Sequence, residues 1–194
     1  MKTKKILLIV LAVLLICSLP VAVFLVRQRV ELRIKAEPAS TIEFVPSTRT
    51  VSVGEEFSLE AVIKTDTNAV PVVELYINFN PSIFEAITLA MGADFSGIIE
   101  GPDIDNGLGT AHFVVEQISE PVQGTGTVAI ITFRALAATS TPEEISFASD
   151  TQAGAWEEGG VNVLVGMDNA SITVSSGTAP TSTPTATPTQ PGTA

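Results

Sequence analysis

The chain has 194 residues, with 21 Asp and Glu against 10 Lys and Arg, and its one cysteine, Cys17, sits in an apolar N-terminal run. Between residues 42 and 174 nineteen acids face three basic residues, Arg49, Lys64 and Arg134, a formal charge of −16; such a surface repels phosphates, which excludes nucleic acid partners and disfavours acidic headgroups. With no second cysteine there is no disulfide framework and no thiolate metal centre, so the globular part must stand on its core alone, which a domain of about 130 residues can do.

In chain order, residues 1–5 form a basic n-region with Lys2, Lys4 and Lys5. Residues 6–26, ILLIVLAVLLICSLPVAVFLV, are twenty-one uncharged residues, close to the roughly 20 that a helix needs to cross the hydrocarbon layer. The run is expected to be a transmembrane signal anchor. A cleaved secretory signal is the alternative, but the run is longer than a usual h-region and no small-x-small site closes it. Arg27, Arg29, Arg33 and Lys35 follow at once, in a juxtamembrane linker over 27–40. Cys17 follows Leu-Leu-Ile, which lacks the small residue of a lipobox. Basic residues on both sides leave orientation open by charge; the acidic domain and the stalk after it place the exported side downstream. The expected location is the cell membrane, single-pass, with the domain at the cell surface.

Residues 41–175 lack apolar spacing of three and four, whereas period-two alternation recurs between turn residues. Phe57, Leu59, Ala61 and Ile63 alternate with Ser58, Glu60 and Val62 after Gly54. Val73, Leu75, Ile77 and Phe79 do the same, with Val72, Glu74, Tyr76 and Asn78 facing outward before the turn at Asn80-Pro81. Further strands are expected at Thr110 to Gln117, Gly126 to Ala135, Glu144 to Phe147, Val161 to Val165 and Ala170 to Val174. The fold class is all-β. So many short strands bury their apolar faces by stacking two sheets about 10 Å apart, a jelly-roll or Greek-key sandwich of about nine strands preceded by one transmembrane helix.

Three blocks, ELYINFNPSIFEA (Glu74 to Ala86), GTGTVAIITFRA (Gly124 to Ala135) and NASITV (Asn169 to Val174), resemble the signature blocks of cohesin domains, a family related to carbohydrate-binding modules. Phe79-Asn80-Pro81 stands where the family has Tyr-Asp-Pro, Phe133 where it has a strand Phe, and Ala170 where it usually has glycine. The resemblance implies a nine-stranded jelly roll that binds a dockerin-bearing protein on one flat sheet face. It also implies that calcium sits on the dockerin, so no cofactor is expected on this chain. The binding positions so implied are Val72, Glu74, Tyr76 and Asn78 on one strand and His112, Val114 and Glu116, outward between inward Phe113 and Val115, on its neighbour. Gln117 and Ile118 fall at the rim. Val72 departs from a position that is often polar in the family. An aromatic and a few aliphatics ringed by acids suit a protein-binding face on physical grounds as well.

No catalytic residue is expected. His112 is the only histidine, so a triad would have to be built around it and a histidine metal site would lack a second imidazole; a strand-surface histidine is the default. Glu55-Glu56, Glu143-Glu144 and Glu157-Glu158 lie beside turns, where solvated acids are ordinary. Asp103-Ile104-Asp105-Asn106-Gly107 alternates oxygen ligands before a glycine but lacks the later bidentate Glu of a calcium loop, so an Asn-Gly turn is expected and no metal is assigned. Trp156, the sole tryptophan, is expected to pack into the core or a loop. One Trp and one Tyr make a poor aromatic strip, so direct polysaccharide binding is the alternative to protein binding, alongside a structural or adhesive role. Residues 176–194 are uncharged and rich in Thr and Pro; they read as a disordered linker with a reach on the order of 60 Å if extended.

Overall fold

The structure, a computed structural model, describes residues 39–156 and 160–178. The expected membrane helix over 6–26, its flanks and most of the Thr/Pro segment lie outside the described residues. Among the described residues no helix is long and apolar enough to cross a membrane.

Twelve strands build two stacked sheets among the described residues. They are β1 (Ser40–Val45), β2 (Thr48–Val53), β3 (Glu56–Lys64), β4 (Val72–Asn78), β5 (Phe84–Met91), β6 (Gly97–Asp105), β7 (Thr110–Glu116), β8 (Thr125–Ala135), β9 (Glu143–Phe147), β10 (Gln152–Gly154), β11 (Leu164–Asp168) and β12 (Ala170–Thr178). The five-stranded sheet runs β11-β1-β3-β8-β5; the seven-stranded sheet runs β2-β12-β9-β4-β7-β6, with β10 also pairing β4. Only β1 with β11 and β2 with β12 pair in parallel. The chain passes from one sheet to the other at most connections, so neighbours within a sheet are mostly distant in sequence.

The alternation in β3, β4 and β8 is what drives that burial. Phe57, Leu59, Ala61 and Ile63 are buried, as are Val73, Leu75, Ile77 and Phe79 and, on β7, Phe113 and Val115. The layer between the sheets is knit by rings. Phe44 on β1 stacks on Phe147 on β9 at 4.0 Å and 7°, joining the two sheets. Phe133 on β8 lies 5.7 Å from Phe57, 6.1 Å from Phe84 and 5.3 Å from Phe79; edge and offset contacts of this kind add to simple area burial.

Several expectations are corrected. The strand count is twelve because five strands add to those expected: β1 alternates, with Ser40, Ile42 and Phe44 buried, but lies outside the expected spans, β2, β5 and β6 lack uninterrupted alternation, and β10 is only three residues long. The strand expected at Val161 to Val165 is displaced to Leu164–Asp168; Val163 is buried just before it, while Val161 is exposed. Val62, expected outward, is buried beside a register shift between Ala61 and Val62. Trp156 is not a core plug: it is 53% exposed, with only its backbone N–H tied to the Ala69 carbonyl at 2.9 Å.

The β6–β7 connection is a turn, as its Asn-Gly sequence indicates. Asp105 Oδ1 accepts from the N–H groups of Gly107 and Leu108 at 2.8 and 2.9 Å. Asn106 reaches across to β5, its Oδ1 accepting from Ala86 N–H at 2.8 Å and its Nδ2 donating to Ala86 C=O at 3.0 Å. These bonds serve a backbone stretch where β5 slips register between Ala86 and Thr88, so the amide oxygen that a calcium loop would need is already in use.

Candidate functional site

On the outer face of the seven-stranded sheet, register arranges the side chains of β4, β7 and β6 in rows. Residues directly opposite in a ladder share a face. Val72, Glu116 and Gly97 form one row; Glu74, Val114 and Glu100 the next; Tyr76, His112 and Asp103 the third; and Asn78, Thr110 and Asp105 the last. The seven positions expected from the sequence are therefore brought together on one surface.

They are not equally available. Val72, Glu74, Tyr76, His112 and Glu116 are partly exposed and Asn78 is open, whereas Val114 is only 7% exposed. Val114 has the expected face, but it is covered between its register partners Glu74 and Glu100 in the middle of the sheet. Glu116 lies across Gly97, where an added Cβ would meet its Oε1 at 2.8 Å.

The centre of the face is a three-residue unit. The rings of Tyr76 and His112 stack with centroids 4.3 Å apart and 25° between planes. Tyr76 Oη donates to Glu74 Oε1 at 2.8 Å, and His112 Nε2 lies 3.2 Å from the same oxygen. The hydrogen bond to Glu74, then desolvation, then the charge of Glu74, with Glu100 and Asp150 beyond it, push the Tyr76 phenol above its ordinary range, because a phenolate would face carboxylates.

The backbone beneath is held equally well. β9 pairs β4 at Ile77 and Asn78 and β10 pairs it from Val72 to Glu74, leaving Tyr76 opposite the break. Thr151 fills it: its Oγ1 accepts from Tyr76 N–H and donates to Tyr76 C=O, both at 3.1 Å, while Ala148 N–H donates to the same carbonyl at 2.7 Å.

Beside this unit runs an open groove of about 440 Å³, lined among others by Tyr76, Asn78, Asp103, Asp105, His112 and Asp150. Sequence reasoning missed Glu100, Asp103 and Asp150 as members of the face. For Glu100 and Asp103 the signal was indirect: a Gly-containing turn before Thr110 calls for an antiparallel partner upstream, and that partner is β6; Asp150, between β9 and β10, had none. Neither β4, β6 nor β7 contains Lys or Arg. The described cations Lys64 and Arg134 are paired with Glu43 and with Glu56 and Glu85 on the five-stranded sheet, and Arg49 lies 3.8 Å from Glu55.

The family profile described as Cohesin domain matches residues 42–174, from β1 into β12. The chain belongs to the cohesin domain family. Solved structures share the fold of this cohesin domain. A type II cohesin domain from the cellulosome of Acetivibrio cellulolyticus is 23% identical with a TM-score of 0.57, covering 70% of this chain and 95% of its own. The third cohesin ScaC of the same organism, solved in complex with the ScaB dockerin, is 17% identical with a TM-score of 0.58, covering 70% of this chain and 99% of its own. A non-cellulosomal cohesin from the archaeon Archaeoglobus fulgidus is 14% identical with a TM-score of 0.54, covering 70% of this chain and 91% of its own. No curated protein matches the chain. The matched span contains every row of the outer face.

Proposed function

We propose that this cohesin domain is a docking receptor that binds a dockerin-bearing protein non-covalently through the outer face of β4, β7 and β6. The observation that carries the reading is the stacked Tyr76–His112 pair fastened to Glu74 at the centre of an acidic face. Side chains so tied lose little freedom on association, and a rigid aromatic centre with a charged rim is the anatomy of a protein-binding patch. Among structures of the same fold, the ScaC cohesin and the Coh-OlpC cohesin of Clostridium thermocellum were both solved with dockerins bound, which supports the class of partner. Glu74, Tyr76, His112, Val72, Asn78 and Glu116 make the contacts in this reading, and Val114 supports them from beneath. Calcium belongs to the dockerin. Residues 6–26 anchor the domain in the cell membrane with residues 41–175 outside, and the docked proteins are polysaccharide-degrading enzymes.

The test is a pull-down from the secreted proteins of the source organism with the full chain as bait, with and without chelator, beside an insoluble-glucan binding assay. Recovery of dockerin-bearing proteins that is lost with chelator and with Glu74→Lys supports the reading. Retention on glucan without a protein partner, through exposed Trp156, would replace it by direct carbohydrate binding.

A further inference from the structure

Glu100, Asp103 and His112 each offer a ligand atom, and the three atoms lie within 4.8 Å of one another. Their meeting is not a by-product of regular pairing. Residues three apart on a regular strand point to opposite faces, yet Glu100 pairs with Val114 and Asp103 with His112, so three steps on β6 match two on β7. That bulge turns both carboxylates onto the outer face, which is how a β-bulge re-aims a side chain. Gly101 makes it possible: its φ is +79°, and an added Cβ would come within 2.8 Å of His112 C=O and 3.0 Å of Asp103 N.

We propose that Glu100, Asp103 and His112 form a binding site for a divalent transition-metal cation of the zinc type. Two carboxylates and a neutral imidazole give a dication charge balance. The imidazole selects zinc, nickel or copper over calcium and magnesium, which favour all-oxygen shells. Three protein ligands leave the fourth tetrahedral position open, and the groove along Tyr76, Asp105 and Asp150 supplies an entry path. Glu74 is outside the trio and faces His112 Nε2 at 3.2 Å; with the cation on Nδ1 it would take the Nε2 N–H and fix the ring, the arrangement that accompanies ligating histidines. No basic side chain on β4, β6 or β7 competes for the acids. This inference does not rest on the docking reading, since the cation needs no partner to bind.

The test uses the full chain, made without a polyhistidine tag and stripped with chelator. Zinc is titrated calorimetrically while the imidazole proton resonances are followed; the single histidine makes them unambiguous. One saturable site, with the imidazole signals moving in step, is expected. Asp103→Asn and His112→Ala weaken it more than ~10-fold, and Glu74→Gln by about 10- to 100-fold, while Glu60→Gln on β3 changes nothing. Calcium in place of zinc leaves the imidazole unmoved. Absence of saturable heat, unmoved imidazole resonances in the wild-type chain, or heat that survives Asp103→Asn and His112→Ala as general adsorption to an acidic surface would each overturn the proposal.

Discussion

The imidazole of His112 lies flat on the phenol of Tyr76, 4.3 Å between centroids, and both rings direct a polar atom at one oxygen of Glu74. Tyr76 and Glu74 are two apart on β4 and so share a face, while His112 is the residue directly across from Tyr76 on β7. Two elementary rules, alternation along a strand and pairing across it, are enough to assemble the unit.

The phenol provides a pH readout. Its proton is held by the hydrogen bond to Glu74 first and by burial and neighbouring carboxylates after that, so Tyr76 ionises above the ordinary value of about 10. A folded-state value raised above the unfolded one means the associated stability is complete below the unfolded value and is lost as pH climbs through the folded one. Ultraviolet titration of the phenolate is clean because there is only one tyrosine. Glu74→Ala is expected to bring its midpoint down towards about 10; an unmoved midpoint would show that burial, not Glu74, holds the proton.

Docking energy should be concentrated in that unit. With the recovered partner, Tyr76→Ala is expected to cost about 2 kcal/mol or more, roughly 30-fold in Kd, as truncation of a central aromatic anchor does. Asn78→Ala, at the open end of β4, should cost less than about 1 kcal/mol. Equal small losses at both positions, measured by surface plasmon resonance, would place the contact elsewhere on the domain.

The two halves of this face differ in how plainly they can be read from sequence, and the reason is physical. β4 alternates without interruption, so Glu74 and Tyr76 were assignable to an outer face and Leu75 and Ile77 to the core, as found. β6 contains Ile98-Ile99-Glu100-Gly101-Pro102-Asp103 and slips register twice against β7. A slipped strand has no single period, which hid Glu100 and Asp103. Val114 illustrates a different limit: period two assigns a face, but exposure on that face depends on the register partners on both sides, here Glu74 on β4 and Glu100 on β6. Short pieces such as β10 cannot show a period at all, and β10 matters because its pairing with β4 stops short of Tyr76.

Phe133 should be the costliest single core truncation to examine. It is fully buried and touches Phe57, Phe79 and Phe84, so Phe133→Ala leaves a void among rings that cannot all collapse into it. A loss of about 3–5 kcal/mol is expected in urea unfolding, against under about 1.5 kcal/mol for Phe133→Leu if repacking succeeds. A loss near 1 kcal/mol for the alanine variant would mean the ring cluster is looser than its geometry implies.

Gly109 and Gly54 separate backbone strain from steric exclusion. Both have positive φ, +73° and +84°, but an added Cβ at Gly109 would stand 2.1 Å from Phe79 C=O and 2.7 Å from Pro81 Cδ, whereas at Gly54 nothing lies within 4 Å. Gly54→Ala therefore incurs only the left-handed penalty of about 1–2 kcal/mol. Gly109→Ala incurs that and must also push back the backbone of Phe79, whose N–H donates to Gly109 C=O at 2.8 Å. Since Phe79 follows β4 directly and packs on Phe133, the displacement is expected to reach the core. Urea midpoints should rank wild type above Gly54→Ala and Gly54→Ala clearly above Gly109→Ala; equal midpoints for the two variants would mean the β6–β7 turn yields without disturbing Phe79.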